Sequence, residues 1–302
     1  MEAYDIKELL KMFSDKPETF VCGPSYGDTN KSPKTKLRIY AYGGVLCELP
    51  TAPRTEIKLL APKYLPKDSP LLTTLRRLRG NEQKKQFLQD HLDDLLSVMG
   101  DRFTSKSGVC EERGQQTDIS RAHTSFLQHD GTVVCDFESS LPKSMGQPNF
   151  DMVTFSMEKP GCGVFTLVEY KCNADACKDE KSGLKRHAAD MLRSMNNPAA
   201  SDWCKTELLR RLGYMCKYDL LKNCPDMLKC VSPDLRPENL ELRAAFLFTR
   251  GNGLESRHDA AELCRTYISE KDLDKFLCCF AESPEAVDLS HMKNWEAFSG
   301  NK

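Results

Sequence analysis

The 302-residue chain has almost no net charge, with 43 Lys and Arg against 44 Asp and Glu. Bulk electrostatic attraction to nucleic acid is therefore excluded, and any such binding needs a local basic patch. No apolar run approaches the roughly 18 residues that suggest a membrane span. The N-terminus, MEAYDIKELLKMF, is amphipathic and lacks the features of a signal peptide. These absences predict a cytoplasmic protein with no membrane partner.

Several sequence motifs that would define other classes of protein are also missing. Gly251-Asn252-Gly253 fits neither a GxGxxG nor a P-loop pattern, so nucleotide binding has no support. No serine or cysteine lies in a recognisable nucleophile motif. The sequence also has no internal repeat and no low-complexity tract.

Fourteen cysteines are scattered along the chain, and no CxxC pair occurs among them. Without export signals, this pattern favours reduced and mostly buried thiols. The alternative is a metal or iron–sulfur site, for which paired spacing is the usual sign. That site would use Cys172 and Cys177 with some of Cys204, Cys216, Cys224 and Cys230.

Hydrophobic residues make up 40% of the chain and charged residues 29%, as in a globular protein with a real core. Five prolines between residues 50 and 70 suggest a boundary between an N-terminal extension (1–70), packed on the core, and a main domain (71–302). Hydrophobic periodicity predicts an α/β or α+β domain with a mixed central sheet flanked by helices. The predicted helices are 3–14, 69–99 (ending at Gly100), 175–195, 201–222, 259–267 and 269–280. The predicted strands are 36–49, 122–128, 132–138, 150–157, 163–172 and 240–250, with 104–120 as a mobile loop.

The most informative stretch is a predicted hairpin, 149–173, that carries three ionisable residues. Asp151 opens its first strand, and Glu169 and Lys171 project from one face of its second because strand side chains alternate. Mg²⁺ in proteins takes one or two carboxylates plus other oxygens. Asp151, Glu169 and the backbone carbonyl of Tyr170 could supply these, while Lys171, with a pKa depressed by burial, could assist a water molecule.

Asp151, seventeen intervening residues and then Glu169-Tyr170-Lys171 resemble the PD-(D/E)XK nuclease-like superfamily. The resemblance covers 132–195, although Asn149-Phe150 replaces the proline that often precedes the aspartate. It implies a restriction-endonuclease-like αβββαβ core within 71–302. It also implies a Mg²⁺- or Mn²⁺-dependent nuclease acting on nucleic acid, with DNA expected ahead of RNA. Asp151 and Glu169 would then ligate the metal while Lys171 assists the water.

Family members often add two further groups. One is an acid on the first core helix, for which the candidates are Glu82, Asp90, Asp93 and Asp94. The other is a polar residue on the helix after the second strand. Lys185 is the favoured catalytic candidate there, ahead of Lys181 and His187, because it lies in the second predicted turn.

Two other interpretations stay open. The chain could be a non-catalytic nucleic-acid-binding or assembly module on the same fold. It could also be an unrelated α+β protein whose Glu-x-Lys is a solvated ion pair. The catalytic interpretation requires the Asp151 and Glu169 carboxylates to lie within about 5 Å of a common point. It also requires Lys171 to point towards them.

Overall fold

The computed structural model describes residues 6–14, 16, 18–22, 36–50, 56–60, 64–104, 108–123, 132–140, 148–159, 161–218 and 235–300. Within these ranges the protein is mixed α/β. A six-stranded mixed sheet is flanked by helices, which confirms the predicted class, and a separate four-stranded antiparallel sheet lies before it in the chain.

The N-terminal part consists of the small sheet and the helices around it. Its strands are β1 (Thr19–Cys22), β2 (Lys36–Ala41), β3 (Gly44–Pro50) and β4 (Lys58–Leu59), paired in that order. Its helices are α1 (Ile6–Ser14), α2 (Pro70–Arg77), α3 (Gly80–Thr104) and α4 (Gly108–Ala122).

The large sheet has the order β10-β9-β8-β7-β6-β5. Its first three strands in sequence form an antiparallel meander, after which β8 and β9 run parallel to β7. Strand β7 is buried along its whole length after Cys162, as expected for a strand with neighbours on both sides and helices over the sheet. The strands are β5 (Thr132–Ser140), β6 (Asn149–Lys159), β7 (Cys162–Lys171), β8 (Leu240–Thr249), β9 (Phe276–Ala281) and β10 (Lys293–Asn294).

The remaining helices connect these strands. The predicted helix over 175–195 is two helices, because the Asp179 carboxylate accepts hydrogen bonds from the backbone N–H groups of Lys181 and Ser182 and forms a turn. The helices are α5 (Ala174–Lys178), α6 (Leu184–Asn196), α7 (Pro198–Lys217), α8 (Arg257–Tyr267), α9 (Glu270–Leu273) and α10 (Trp295–Ser299).

Three sequence predictions were wrong. Most of the predicted mobile loop 104–120 belongs to helix α4, which spans Gly108–Ala122, and α3 continues past Gly100 to Thr104. The helix predicted over 269–280 ends at Leu273 and is followed by strand β9. The apolar run FLCCFA has no period that separates helix from strand, and its pairing with β8 decides the outcome.

One predicted hairpin lies mostly outside the described residues. It would have joined 122–128 to 132–138 through Asp130-Gly131, and residues 124–131 are not described. Among the described strands, β5 pairs with β6. The predicted helix over 201–222 begins earlier, at Pro198, and its last residues, 219–222, are not described.

One hydrophobic cluster joins the two sheets. It contains residues of α1, β2, β3 and α3 as well as residues of β5 to β8. The boundary predicted at residue 70 stays a prediction, but apolar packing crosses it. None of the described helices is both long and apolar enough to cross a membrane.

Candidate active site

Asp151 lies where β6 and β7 separate. Their backbone register runs from Lys159↔Cys162 to Met152↔Val168. Beyond that point the N–H of Tyr170 donates to Asp151 Oδ2 at 2.8 Å. The Asp151 carboxylate thus replaces the next backbone acceptor of β6. The Tyr170 N–H is therefore hydrogen-bonded although the two strands separate here.

Glu169 and Lys171 project from the same face at the end of β7, as strand alternation predicts. Both side chains are buried, and Lys171 Nζ donates to Glu169 Oε1 at 2.6 Å. Lys171 is therefore directed towards the acids of the hairpin, as the catalytic interpretation requires.

Helix α6 brings His187 to the same carboxylate. His187 Nε2 lies 3.0 Å from Glu169 Oε1, the oxygen that Lys171 also binds. Because each helical residue turns about 100°, Lys185 lies about 200° away from His187 around α6. Lys185 is accordingly exposed to solvent, whereas His187 is mostly covered.

Helix α4 supplies a further acid, Glu112, to the group around Lys171. Glu112 Oε1 lies 3.5 Å from Lys171 Nζ, and Gln116 lies one helical turn further on. The helix is tied to β7 through a hydrogen bond that the Tyr170 hydroxyl donates to Gln115. The same hydroxyl contacts the Thr249 hydroxyl on β8.

These side chains line one cleft with a volume of about 380 Å³. Besides the residues of β6 and β7, the cleft is bordered by Ser182 in the turn before α6 and by Glu112 near the start of α4. Its lining residues are Glu112, Arg113, Gln116, Asn149, Phe150, Asp151, Glu169, Lys171, Ala176, Ser182 and His187.

The electrostatics of the cleft are dominated by crowded carboxylates. Burial raises the pKa of Asp151 well above its usual range, and the charge of Glu169 raises it further against the opposing effects of Lys171 and the Tyr170 N–H. Burial also raises the pKa of Glu112, with Lys171 opposing. Burial is thus the larger cause at both acids, and the charge of Glu169 adds to it.

The lysine responds in the opposite direction from the sequence expectation. Burial by itself lowers the pKa of Lys171, but the carboxylates of Glu169, Asp151 and Glu112 outweigh that effect and raise the pKa above its ordinary value. The expected depression was wrong because three acids, rather than one or two, surround the ammonium group.

The structure gathers Asp151, Glu169, Lys171 and the helix candidate His187 in the cleft, but not the other predicted side chains. Lys185 and Lys181 are exposed and do not line it. The four candidate acids of α3 also lie elsewhere. Asp93 binds Lys16, Asp94 contacts His91, Asp90 accepts from Gln86, and Glu82 is exposed.

Sequence reasoning missed Glu112 and Gln116, and it favoured Lys185 over His187. Glu112 could not be predicted because helix α4 itself was not recognised in the sequence. Polar side chains such as Gln116, Thr117 and Ser120 are buried on α4, so the helix has no apolar stripe. A usable signal for His187 was its spacing from Leu184 and Met191, which are both buried and lie on the same helical face.

Over the described part of the chain, no three His, Cys, Asp or Glu side chains form a group that could hold a metal ion. Cys172, Cys177 and Cys204 are buried thiols and Cys216 is a partly buried one, while Cys224 and Cys230 lie outside the described residues. No protein-family model, curated protein or solved structure matches the chain.

Proposed function

We propose that the protein is a Mg²⁺- or Mn²⁺-dependent nuclease of the PD-(D/E)XK type that hydrolyses phosphodiester bonds of nucleic acid, DNA ahead of RNA. The observation that carries the proposal is the convergence of Asp151, Glu169 and Lys171 in one cleft. The order α4-β5-β6-β7, followed by helices α5 to α7 and then β8, supports it, because it follows the αβββαβ pattern of the restriction-endonuclease-like core when α6 is taken as the core helix.

The residues of the cleft fit a divalent cation. Glu169 Oε2 is buried and has no hydrogen-bond partner among the described residues, although the other oxygen has two. A buried carboxylate oxygen without a partner is costly unless a cation or donor binds it. Magnesium is commonly held by two carboxylates with water and substrate oxygens, so it does not need a group of three side chains.

Asp151 and Glu169 would hold the ion. The N–H and C=O of one strand residue point to the same side, so the carbonyl of Tyr170 faces the gap into which its N–H donates to Asp151. That carbonyl is the third proposed ligand. When bound, the ion would polarise the phosphate and lower the pKa of a water molecule.

The side chains around the ligands have separable roles. Lys171, kept positively charged by its carboxylates, stabilises the negative charge that develops on the phosphate oxygens. His187 orients Glu169 by donating to Oε1, and Glu112 orients Lys171. Exposed Lys185 and Arg186 in the first turn of α6 are suited to phosphates of the substrate backbone outside the cleft.

The test is cleavage of single- and double-stranded DNA and of RNA, with Mg²⁺, with Mn²⁺ and with a chelator. Asp151→Asn and Lys171→Met should each lower the rate by at least about 10²-fold, because each removes a group that acts on the transition state. The chelator should abolish cleavage.

The chain offers a matched control on the neighbouring strand. Glu241 and Arg243 of β8 form an ion pair of the same spacing, 2.6 Å long, on the exposed surface. Glu241→Gln should leave the rate unchanged. Cleavage that persists in both Asp151→Asn and Lys171→Met would refute the site, and so would equal losses in Glu241→Gln.

One observation favours a non-catalytic module as the second candidate. Lys171 already forms an ion pair with Glu169 Oε1, and His187 contacts the same oxygen, which is how a structural ion pair without a metal would be arranged. Nucleic-acid binding in gel-shift assays, with no cleavage in either metal and no Mn²⁺ binding by calorimetry, would select that candidate.

A further inference from the structure

The tight turn between β2 and β3 has an unusual backbone. Tyr42 and Gly43 both have positive φ, at 50° and 92°. Two central residues of this kind define the type I′ hairpin turn, in which a non-glycine residue such as tyrosine is uncommon. A strained conformation persists where the surrounding structure holds it.

Packing on both sides holds this turn. The Tyr42 ring lies against α3 at Gly100, where a Cβ would be 3.2 Å from the ring. Gly43 lies against α4. A Cβ at Gly43 would be 2.7 Å from the Cβ of Arg113 and 2.8 Å from its backbone carbonyl carbon and oxygen. The two backbones are thus in direct contact, and any side chain at Gly43 would displace α4.

The contact is made one residue away from the acid of the cleft. Glu112 precedes Arg113 on α4 and lies 3.5 Å from Lys171. On its other side α4 is tied to β7 by the hydrogen bond from Tyr170 to Gln115. Helix α4 is therefore held between the large sheet and the Tyr42–Gly43 turn.

We infer that the Tyr42–Gly43 turn positions α4, and with it Glu112 against Lys171, so that the N-terminal sheet completes the candidate active site. Gly43 is a positioning residue, since it contacts Arg113 in the wall of the cleft but none of the proposed metal ligands. The catalytic consequence of this inference rests on the proposed nuclease function, whereas the docking of α4 does not.

The first test compares two alanine substitutions at glycines with the same backbone. Gly161 has φ 78°, lies in the turn between β6 and β7, and has no atom within 4 Å of a built Cβ. Gly43→Ala and Gly161→Ala therefore share the backbone strain, and only Gly43→Ala pushes on Arg113. Gly43→Ala should lower kcat by between about 10- and 100-fold, as for other residues that orient catalytic groups.

The KM for DNA should be unchanged in Gly43→Ala, because the phosphate contacts outside the cleft are kept. Gly161→Ala should match the wild type in both constants. Equal kcat values for Gly43→Ala and wild type would overturn the inference, and so would an equal loss in Gly161→Ala.

A double variant shows whether Gly43 acts through Glu112. If it does, Gly43→Ala should add little to the loss caused by Glu112→Gln, since the group being positioned is already altered. Multiplication of the two separate losses in the double variant would contradict the positioning role. Should Gly43→Ala fail to fold, Tyr42→Asn tests the same turn from its α3 side, because asparagine tolerates positive φ while the contact of the ring with Gly100 is lost. It should give a smaller loss of kcat.

Amide hydrogen exchange tests this inference independently of the proposed function. If the wild type neither cleaves nucleic acid nor binds Mn²⁺, the nuclease proposal fails. The exchange rates of the amides of residues 108–123 then still test whether Gly43 positions α4. Gly43→Ala should speed their exchange at least about tenfold relative to wild type, while β7 stays protected and Gly161→Ala changes neither. Unchanged exchange in α4 would overturn the inference.

Discussion

Lys171 is a buried ammonium group whose positive charge is maintained by carboxylates on three different elements. A lysine with a raised pKa cannot accept a proton from water near neutral pH. Its role in the proposed reaction is therefore that of a fixed cation beside the phosphate rather than a general base. The proton of the attacking water must pass to another acceptor or to solvent.

His187 is the neighbour of Glu169 that can be removed with least damage to the core, since Lys171 stays paired in its absence. His187→Ala should lower kcat by about tenfold or more, because the orientation of a ligand carboxylate is then held from one side only. His187→Gln keeps a donor and should recover part of the loss. Steady-state kinetics with Mg²⁺ measure both effects.

His258 provides the control for that series, because it also contacts a glutamate, Glu262 at 3.3 Å, but on the exposed face of α8. His258→Ala should be as active as the wild type. If His187→Ala keeps full activity, His187 is a helix-surface residue with no part in the reaction.

Strand geometry explains which site residues could be predicted from sequence. Glu169 and Lys171 share a face because the side-chain period of a strand is two, and a tight hairpin brings Asp151 across from them. Glu112 and His187 reach the site through the phase and docking of helices. Docking depends on tertiary contacts such as Tyr170 with Gln115, which no local pattern encodes.

At the scale of elements, the strands that were predicted correctly have a clear local sequence pattern, whereas the misassigned segments depend on tertiary contacts. The apolar β7 and β8 were predictable because their apolar runs are long and bounded by turn residues. Helix α4 was not, because Gln116, Thr117 and Ser120 are buried on it beside Ile119. Its buried positions therefore do not form an apolar stripe in the sequence.

Helix α7 is fixed to the sheet by a buried ion pair between Arg211 and Asp136 of β5, with Glu207 as a second partner of the arginine. Asp136→Asn should lower the free energy of unfolding by about 3 kcal/mol. That value lies at the lower end of the cost of breaking a buried pair because Glu207 still compensates the charge. The shift of the urea midpoint at constant slope measures it.

A surface pair of the same kind is the control for that measurement. Asp272 and Lys275 are 2.6 Å apart on the exposed turn that follows α9. Asp272→Asn should cost no more than about 1 kcal/mol. Equal costs for the two substitutions would mean that the Arg211 pair does not fix α7 to the sheet.

At the scale of the whole molecule, the hydrophobic cluster that joins the two sheets predicts how the protein unfolds. Side chains of the N-terminal sheet, among them Leu37 and Ile39, belong to the same cluster as Phe155 and Phe246 of the large sheet. A hydrophobic core that is shared by both sheets favours a single cooperative unfolding transition. The prolines of 50–70 interrupt the regular elements of the chain, but the packing continues across them.

Ile39→Ala tests this coupling, since Ile39 is fully buried and both tryptophans, Trp203 and Trp295, lie far along the chain. The substitution should destabilise the protein by about 2–5 kcal/mol. If the core is shared, the unfolding transitions followed by tryptophan fluorescence and by far-UV circular dichroism shift together to the same lower urea concentration.

Ile6→Ala, at a half-buried position on α1, is the control and should shift both transitions much less. An unmoved fluorescence transition beside an earlier loss of circular dichroism would mean that residues 1–70 unfold separately. The N-terminal sheet could then not hold α4 at the cleft once it had unfolded.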